Sequence, residues 1–190
     1  MHGDTKFDDR TELASLFGPI QHIGYVVSDL DSTIRAWQQA VGVGPFVVFR
    51  GMNPFHRLKY RGKPSENIVI SVAFARSGAY QIELIQQHNN TPSIYTEALA
   101  ASNHGPHHYA FVTSEYDAAC KHARGIGMEA ILETGDVGTE RMTYFGFAGI
   151  GGFIAELIEL SPATRENDEN IASLLADAGS DVAVIEAGGH

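Results

Sequence analysis

The sequence predicts an α+β protein built from two copies of one βαβββ module. One observation is a weak internal repeat, because a shift of 86 positions brings His22 onto His108, each near the start of an apolar strand. Another is that both strands run into a helical segment that ends in a Gly-X-Gly turn. A third is that Glu83 and Glu156 occupy the same Glu-Leu-Ile motif in the last strand of each copy. A repeat of this size constrains the architecture before any single residue is interpreted.

The first module starts with a strand whose alternation places His22, Gly24 and Val26 on one face. Ser28 or Asp29 can cap the helix that follows, which carries apolar residues at helical spacing. Glycines and prolines between the second and third strands indicate a loop. The predicted elements are a strand at 20–27, a helix at 30–41, a strand at 46–49, a loop at 51–65, and strands at 68–74 and 80–85.

The second module repeats this order after a linker at 88–92 and a short helix at 93–102. Its predicted elements are a strand at 107–113, a helix at 115–124, and strands at 129–132, 141–145 and 153–160. The chain therefore divides into an N-terminal extension at 1–18, a two-module domain at 19–161 (modules at about 19–87 and 105–161), and an acidic C-terminal tail at 162–190. The extension is predicted to hold a short helix at 8–17. The tail has one helical stretch at 170–178, and we expect it to be loosely attached or docked on a partner subunit.

Bulk composition excludes several classes of partner. The net charge of −10, without a large basic face, argues against nucleic acid and anionic membranes. No apolar stretch approaches the roughly 18 residues that span a bilayer, and the start of the chain lacks the pattern of a secretory signal. The single cysteine, Cys120, fits a reducing compartment. We therefore expect a cytoplasmic protein that acts on a small molecule.

Two histidines and two glutamates occupy matching positions in the two modules. Glu83 and Glu156 lie between apolar residues, where a carboxylate is costly to bury unless something neutralises it. If the modules pair symmetrically, these carboxylates meet the imidazoles of His22 and His108. Two nitrogen and two oxygen ligands suit a divalent ion such as Zn²⁺, Co²⁺, Ni²⁺, Mn²⁺ or Fe²⁺. The alternative is that hydrogen bonds satisfy the histidines and solvent satisfies the glutamates, but the repeat favours the site. Alternation points the neighbouring His107 away from His108.

The duplicated pattern with His, Glu, His, Glu at these strand positions resembles the vicinal oxygen chelate superfamily. This group includes glyoxalase I, methylmalonyl-CoA epimerase, extradiol dioxygenases and bleomycin-resistance proteins. The layout is most similar to the methylmalonyl-CoA epimerase type, over about residues 19–161. The resemblance implies two modules in a pseudo-two-fold arrangement that form an open, partly closed β-barrel around a metal site. It implies one divalent metal ion per chain, with four ligands: His22, Glu83, His108 and Glu156.

The resemblance also implies a reaction. A metal-dependent isomerase, epimerase or lyase would remove a proton next to the carbonyl of a small molecule or an acyl-CoA substrate. The ligand Glu156 is one expected base. Glu66, before the strand that precedes Glu83, is expected as the other. Members of the superfamily often dimerise, so we expect a homodimer.

Two alternative functions stay open from the sequence. An extradiol-type dioxygenase uses iron held by two histidines and one carboxylate, so a fourth ligand disfavours it. A metal-free protein that binds a small molecule such as an antibiotic generally lacks the four ligands. The basic stretch at 50–63 contains Arg50, Arg57, Lys59, Arg61 and Lys63. It either meets a phosphate or carboxylate of a substrate such as a CoA ester or forms a solvated loop.

Overall fold

The structure is a computed structural model that describes residues 16–102, 105–136, 140–149, 152–178 and 182–187. The strands within these ranges are β1 Ile20–Val26, β2 Phe46–Met52, β3 Lys59–Tyr60, β4 Lys63–Pro64, β5 Ile70–Ser77, β6 Tyr80–Gln87, β7 His108–Thr113, β8 Glu129–Thr134, β9 Met142–Phe147, β10 Phe153–Glu159 and β11 Val184–Glu186. The helices are α1 Leu30–Val41, α2 Ile94–Ala100, α3 Tyr116–Gly125 and α4 Pro162–Asp177. Most of the predicted helix at 8–17 lies outside the described residues.

The sheet is arranged symmetrically about its central pair of strands. Its order is β11-β2-β5-β6-β1-β7-β10-β9-β8-β3-β4. β1 and β7 are antiparallel, with His22 opposite Ala110 and Gly24 opposite His108. Outward from this pair, each module adds its fourth, third and second strands in turn, and the fourth runs parallel to the first. The predicted α+β fold of two βαβββ modules is therefore confirmed, and the sheet that they form is curved and unclosed.

One helix of each module covers the outer face of the sheet. α1 begins after Asp29, whose side chain accepts a hydrogen bond from the Ser32 backbone, and it buries Leu30 and Ile34 against the first module. α3 buries Ala119 and its neighbours against strands of the second module. Burial of these apolar faces is the main stabilising term of each module. A third apolar cluster lies between the modules and encloses the central face of the sheet.

Two added segments pair with the outer strands of the modules. The predicted loop at 51–65 contains the short hairpin β3–β4, and Tyr60 of this hairpin pairs with Leu132 of β8. The segment therefore leaves the first module and reaches the far edge of the second. β11 pairs in parallel with β2 at the opposite edge. These short added strands pair with the backbone groups of β2 and β8 and become the edges of the sheet.

The C-terminal segment differs from expectation. We predicted a helix at 170–178 in a loosely attached tail, but α4 spans Pro162–Asp177 and β11 adds a strand to the sheet. Ser161 caps α4 by accepting a hydrogen bond from the Thr164 backbone, and Pro162 occupies its first turn. Ile171 is buried, so α4 is held by packing against the chain's own domain. None of the described helices is long and apolar enough to cross a membrane.

Candidate metal centre

Four adjacent strands at the middle of the sheet each contribute one polar side chain to a single point. Glu83 comes from β6, His22 from β1, His108 from β7 and Glu156 from β10. Because side chains alternate along a strand, each of these points to the inner face of the curved sheet. The residues are 8%, 5%, 0% and 3% exposed in that order, so the cluster is removed from solvent.

The separations within this cluster match a shared cation. His22 Nε2 is 3.3 Å from Glu83 Oε2 and 3.1 Å from Glu156 Oε2. His108 Nε2 is 3.2 Å from each of the same two oxygens. One potential ligand atom from each of the four residues lies within 4.8 Å of all the others. Ligands about 2.0–2.2 Å from a tetrahedral ion are about 3.3–3.6 Å apart, and small shifts of these side chains would fit one such ion.

Two atoms of the cluster lack hydrogen bonds. Glu83 Oε2 and His108 Nε2 are fully buried, and neither makes a hydrogen bond within the described structure despite their 3.2 Å separation. Both atoms lie within ion-pair distance of their neighbours, but buried polar atoms without a well-directed hydrogen bond are rare without a reason. Both point at the same centre, where a cation would satisfy them together.

The charges of the cluster are matched across the two modules. Burial by itself lowers the pKa of His22, but Glu83 and Glu156 outweigh it and raise that pKa to about 10. Burial raises the pKa of Glu156, but His108 and His22 outweigh it and bring that pKa well below its usual range. The pKa of His108 is raised as well, because Glu156 and Glu83 overcome its burial. Without a metal ion, two protons on the imidazoles thus supply the charge that one divalent ion would supply.

His107 supports His108 from behind. Alternation along the strand predicted that it points away from His108, but its Nδ1 lies 3.0 Å from His108 Nδ1, so this prediction was wrong. Burial and the charge of His108 lower the pKa of His107 to about 3, and its hydrogen bond to the Ile94 backbone acts in the opposite direction. A neutral His107 that donates to Ile94 accepts from His108 with the other nitrogen. When His108 is neutral, its Nε2 lone pair is then directed at the cluster.

Gly24 makes room for the His108 ring. A Cβ atom added at Gly24 would lie 2.0 Å from His108 Cε1 and 2.3 Å from Nε2. These separations are far below van der Waals contact, and the two residues face each other across the β1–β7 pair. The imidazole therefore lies directly against the backbone of β1, which a side chain of any size would prevent.

A family model described as the Glyoxalase/Bleomycin resistance protein/Dioxygenase superfamily matches residues 21–147. The chain belongs to this superfamily. The match covers the first module, the linking helix and the second module as far as β9. The resemblance noted from the repeat is thereby confirmed. A comparison with curated proteins found no match.

Solved structures of methylmalonyl-CoA epimerases share the fold. The Mycobacterium tuberculosis enzyme superposes with a TM-score of 0.53 at 21% identity, over 80% of this chain and 94% of its own. A variant of the Streptomyces coelicolor enzyme in complex with 2-nitronate-propionyl-CoA has a TM-score of 0.55 at 20% identity, over 77% and 96%. A methylmalonyl-CoA epimerase in complex with methylmalonyl-CoA and NH4+ has a TM-score of 0.53 at 23% identity, over 75% and 94%. About a fifth to a quarter of this superfamily member is thus unmatched in these structures.

A cavity of about 230 Å³ opens beside the cluster. His22, Glu83 and Glu156 line it. Its walls are mostly apolar and aromatic, with Phe49, Met52, Phe55, Ile70, Val72, Phe74, Ile85, Tyr95, Met142, Tyr144 and Ile158. The hydroxyls of Tyr95 and Tyr144 are 3.2 Å apart, and burial keeps the pKa of each well above its usual range. Both tyrosines therefore stay protonated beside the site.

Sequence reasoning missed α4 as part of this cavity. Thr164, Asn167, Asp168 and Ile171 line it from one face of the helix. The signals were present, because Ser161-Pro162 is a typical helix start and these four positions have helical spacing. The acidic composition of the tail concealed them.

The structure does not bring Glu66 to the cluster. Glu66 is exposed between β4 and β5 and is not among the described residues that line the cavity. The physical reason lies in the preceding segment, which folds towards β8 and is held there by a backbone hydrogen bond from Ser65 to Leu58. Glu66 follows that segment to the surface, so the expected second base is absent from this position.

Arginines of the basic stretch form surface ion pairs. Arg50 contacts Asp31 and Glu186, with N–O distances of 2.8 and 2.9 Å. Arg57 pairs with Asp136 at 2.7 Å. Arg61 pairs with Glu97 at 2.9 Å, and Tyr60 donates a short hydrogen bond to the same carboxylate. None of the five basic residues at 50–63 is among the described residues that line the cavity.

Proposed function

We propose that this protein is a divalent-metal-dependent enzyme that removes a proton next to the carbonyl group of a small molecule. The reaction class is that of an isomerase, epimerase or lyase. The observation that carries the proposal is the convergence of His22, Glu83, His108 and Glu156, all buried, at one side of a largely apolar cavity. Membership of the superfamily and the shared fold of epimerases support the same class.

The residues have distinct roles in this proposal. His22, Glu83, His108 and Glu156 would hold the ion, which when bound draws charge from the oxygen of a developing enolate. Glu156 also lines the cavity, so its carboxylate is assigned the role of general base and accepts the proton at a carboxylate oxygen. Tyr144, protonated and next to His108, is placed to donate a hydrogen bond to a bound substrate.

Elemental analysis tests the metal site first. Wild-type protein purified without chelator or histidine tag is compared with His108→Ala prepared in the same way. We expect one divalent ion per chain in the wild type and loss of that ion in the variant. If neither protein holds metal after incubation with Zn²⁺, Co²⁺ and Mn²⁺, the proposal fails, and a metal-free small-molecule binding protein becomes the better description.

Proton exchange tests the chemistry. Metal-loaded protein is incubated in D₂O with methylmalonyl-CoA, with the hemithioacetal of methylglyoxal and glutathione, and with simple hydroxyketones, and loss of the α-proton signal is followed by NMR. Glu156→Gln should reduce exchange by about 10²–10⁴-fold while the circular dichroism spectrum stays unchanged. Equal exchange in the variant would exclude Glu156 as the base. Ring cleavage of a catechol by the Fe²⁺-loaded protein would favour the dioxygenase alternative. The predicted homodimer is tested on the same samples by light scattering.

A further inference from the structure

Helix α4 forms a polar wall of the cavity outside the two modules. Its four lining residues recur at one turn of helical spacing, so a single face of α4 points inward. Thr164 and Ile171 on this face are buried, and Asp168 between them is half-buried. The family model ends at residue 147, so α4 is a feature of this chain beyond the matched region.

Asp168 is held in place by the strand that carries a candidate metal ligand. Gln21 Nε2 donates a hydrogen bond to Asp168 Oδ2 at 2.5 Å. Gln21 directly precedes His22, and the pairing of β1 with β7 is irregular between Ile20 and His22. This irregularity lets Gln21 reach α4 while His22 points to the cluster. The carboxylate of Asp168 is thereby fixed at the wall of the cavity rather than free in solvent.

The cavity is acidic beyond the candidate metal ligands. Glu83 and Glu156 are neutralised by a divalent ion, but Glu140 and Asp168 also line the cavity. No lysine or arginine is found among the described lining residues. Arg76 influences Asp168 electrostatically but is exposed on β5 and does not line the cavity. A carboxylate or phosphate that entered would meet the half-buried carboxyl group of Asp168 and the exposed one of Glu140, with no lysine or arginine among the described lining residues to offset them.

The size of the cavity restricts the part of the ligand that enters it. A volume of about 230 Å³ is only moderately larger than the apolar cavity of about 150 Å³ that accommodates benzene. The largely aromatic and aliphatic walls favour a compact apolar body. Glu83, whose buried Oε2 makes no hydrogen bond in the described structure, marks the end of the cavity where the reacting oxygens would lie.

We propose that this site takes a compact carbonyl compound that is uncharged or positively charged, and that a hydroxyl or ammonium group of this compound binds Asp168. This inference rests on the proposed function and specifies its substrate class. It separates the chain from the neighbour crystallised with methylmalonyl-CoA, since that ligand is an anionic thioester. Asp168 is then a specificity-determining residue supplied by the C-terminal helix.

Three matched ketones test the inference as probes. The three compounds are 2-hydroxy-1-phenylethanone, 2-amino-1-phenylethanone and phenylglyoxylate. They share a phenyl ketone, and the carbonyl carbon carries next to it a hydroxymethyl, an ammoniomethyl or a carboxylate group. Their dissociation constants are measured by ligand-observed NMR or calorimetry on zinc-loaded and on metal-free protein. We expect the hydroxyl and ammonium compounds to bind the wild type at least about tenfold more tightly than phenylglyoxylate. The reason is that each gains a hydrogen bond to the Asp168 carboxylate, which repels the carboxylate of phenylglyoxylate.

Variants on α4 assign the preference to one side chain. Asp168→Asn should reduce the preference for the ammonium compound about tenfold, whereas Glu169→Gln, which removes an equal charge from an exposed neighbour, should leave it unchanged. Asn167→Lys adds a cation to the lining face and should shift binding towards phenylglyoxylate, which provides an independent test if Asp168→Asn folds poorly.

The outcomes separate this inference from the proposed function. Tightest binding of phenylglyoxylate by the wild type, an unchanged ranking in Asp168→Asn and Asn167→Lys, or no binding of any probe would overturn the inference. The proposed function can fail independently, through absence of metal or through absence of proton exchange with every substrate tested on the wild type. The charge preference of metal-free protein remains measurable in that case.

Discussion

The two modules carry the same ligand positions but support them differently. His22 and His108 occupy equivalent positions in β1 and β7, yet only His22 lines the cavity. The residue before His108 is His107, which lies behind the ring. The residue before His22 is Gln21, which reaches α4. The duplicated backbone thus places both imidazoles, while the second module holds its histidine rigidly inside the sheet and the first exposes its histidine to a ligand.

The small residues opposite the histidines show the same asymmetry. Gly24 faces His108 and Ala110 faces His22 across the central strand pair. Ala110 carries a Cβ atom without overlap and is fully buried, whereas a Cβ atom at Gly24 would overlap the His108 ring.

Gly24→Ala should abolish the candidate metal centre. The added Cβ atom displaces His108 from the backbone of β1, so the variant should retain little or no metal where the wild type holds one ion per chain. Elemental analysis after dialysis measures the loss. Ala110→Gly is the matched control and should keep its metal, with a stability loss of about 0.5–1 kcal/mol. Normal metal affinity in Gly24→Ala would show that the ring position is not required.

The pH dependence of the metal-free protein should reveal the paired charges. Folding raises the pKa of His22 from 6.5 to about 10, so its contribution to stability is complete below pH 6.5 and is lost as the pH rises through about 10. Folding lowers the pKa of Glu156 from 4.5, so its contribution is present above pH 4.5 and is lost on acidification. Chemical unfolding over a pH series measures both limbs.

His22→Gln is the control for this pH profile. It should remove most of the alkaline loss, whereas a replacement outside the cluster, Glu169→Gln, should leave the profile unchanged. Metal binding should strengthen as pH rises and release protons from both imidazoles, because only the neutral rings bind the ion. Calorimetry in buffers of different ionisation enthalpy measures the released protons. A metal affinity that does not change with pH would contradict the inference that both imidazoles carry protons in the metal-free protein.

Loss of His107 should weaken metal binding more than loss of its counterpart. His107→Ala removes the acceptor that orients His108 and should lower metal affinity about 10–100-fold. His107→Gln keeps a side-chain acceptor and should recover part of that loss. Gln21→Ala should leave metal affinity within about twofold, since its contact is with α4. Competition with a fluorescent chelator measures all three. Equal losses in His107→Ala and Gln21→Ala would contradict the asymmetric support of the two rings.

The ion pairs at the two edges of the sheet should each contribute little, and by similar amounts, to the free energy of unfolding. Arg50 links β2 to β11 through Glu186, and Arg61 links the β3–β4 segment to Glu97 of α2. Both arginine side chains are more than 40% exposed, so each replacement by Ala should lower the free energy of unfolding by only about 0.2–1 kcal/mol. Urea unfolding at low and high salt measures the effect, which should shrink as salt rises. A loss of several kcal/mol at either edge would indicate a larger structural role.

The sequence predicted the strands and helices of the two modules better than it predicted the loops and the termini. The paired strands and helices of both modules were predicted closely, because period-two alternation and capping residues such as Asp29 act locally. The strands β3 and β4 were not predicted, because a strand of two residues shows no periodicity in the sequence. Tyr60 becomes part of a strand only because it pairs with Leu132 of the other module. α4 was predicted too short, because its inward face is polar as well as apolar.

The duplicated α+β fold could be predicted from the sequence, and so could the four positions that converge in the structure: His22, Glu83, His108 and Glu156. A repeat carries this information because equivalent strands pair about a common axis and bring equivalent side chains together. Three placements could be seen only in the folded chain: Glu66 lies at the surface, His107 lies behind His108 and Asp168 reaches the cavity. Those placements depend on how a loop crosses between modules and how a terminal helix docks, which are long-range contacts without a local signal.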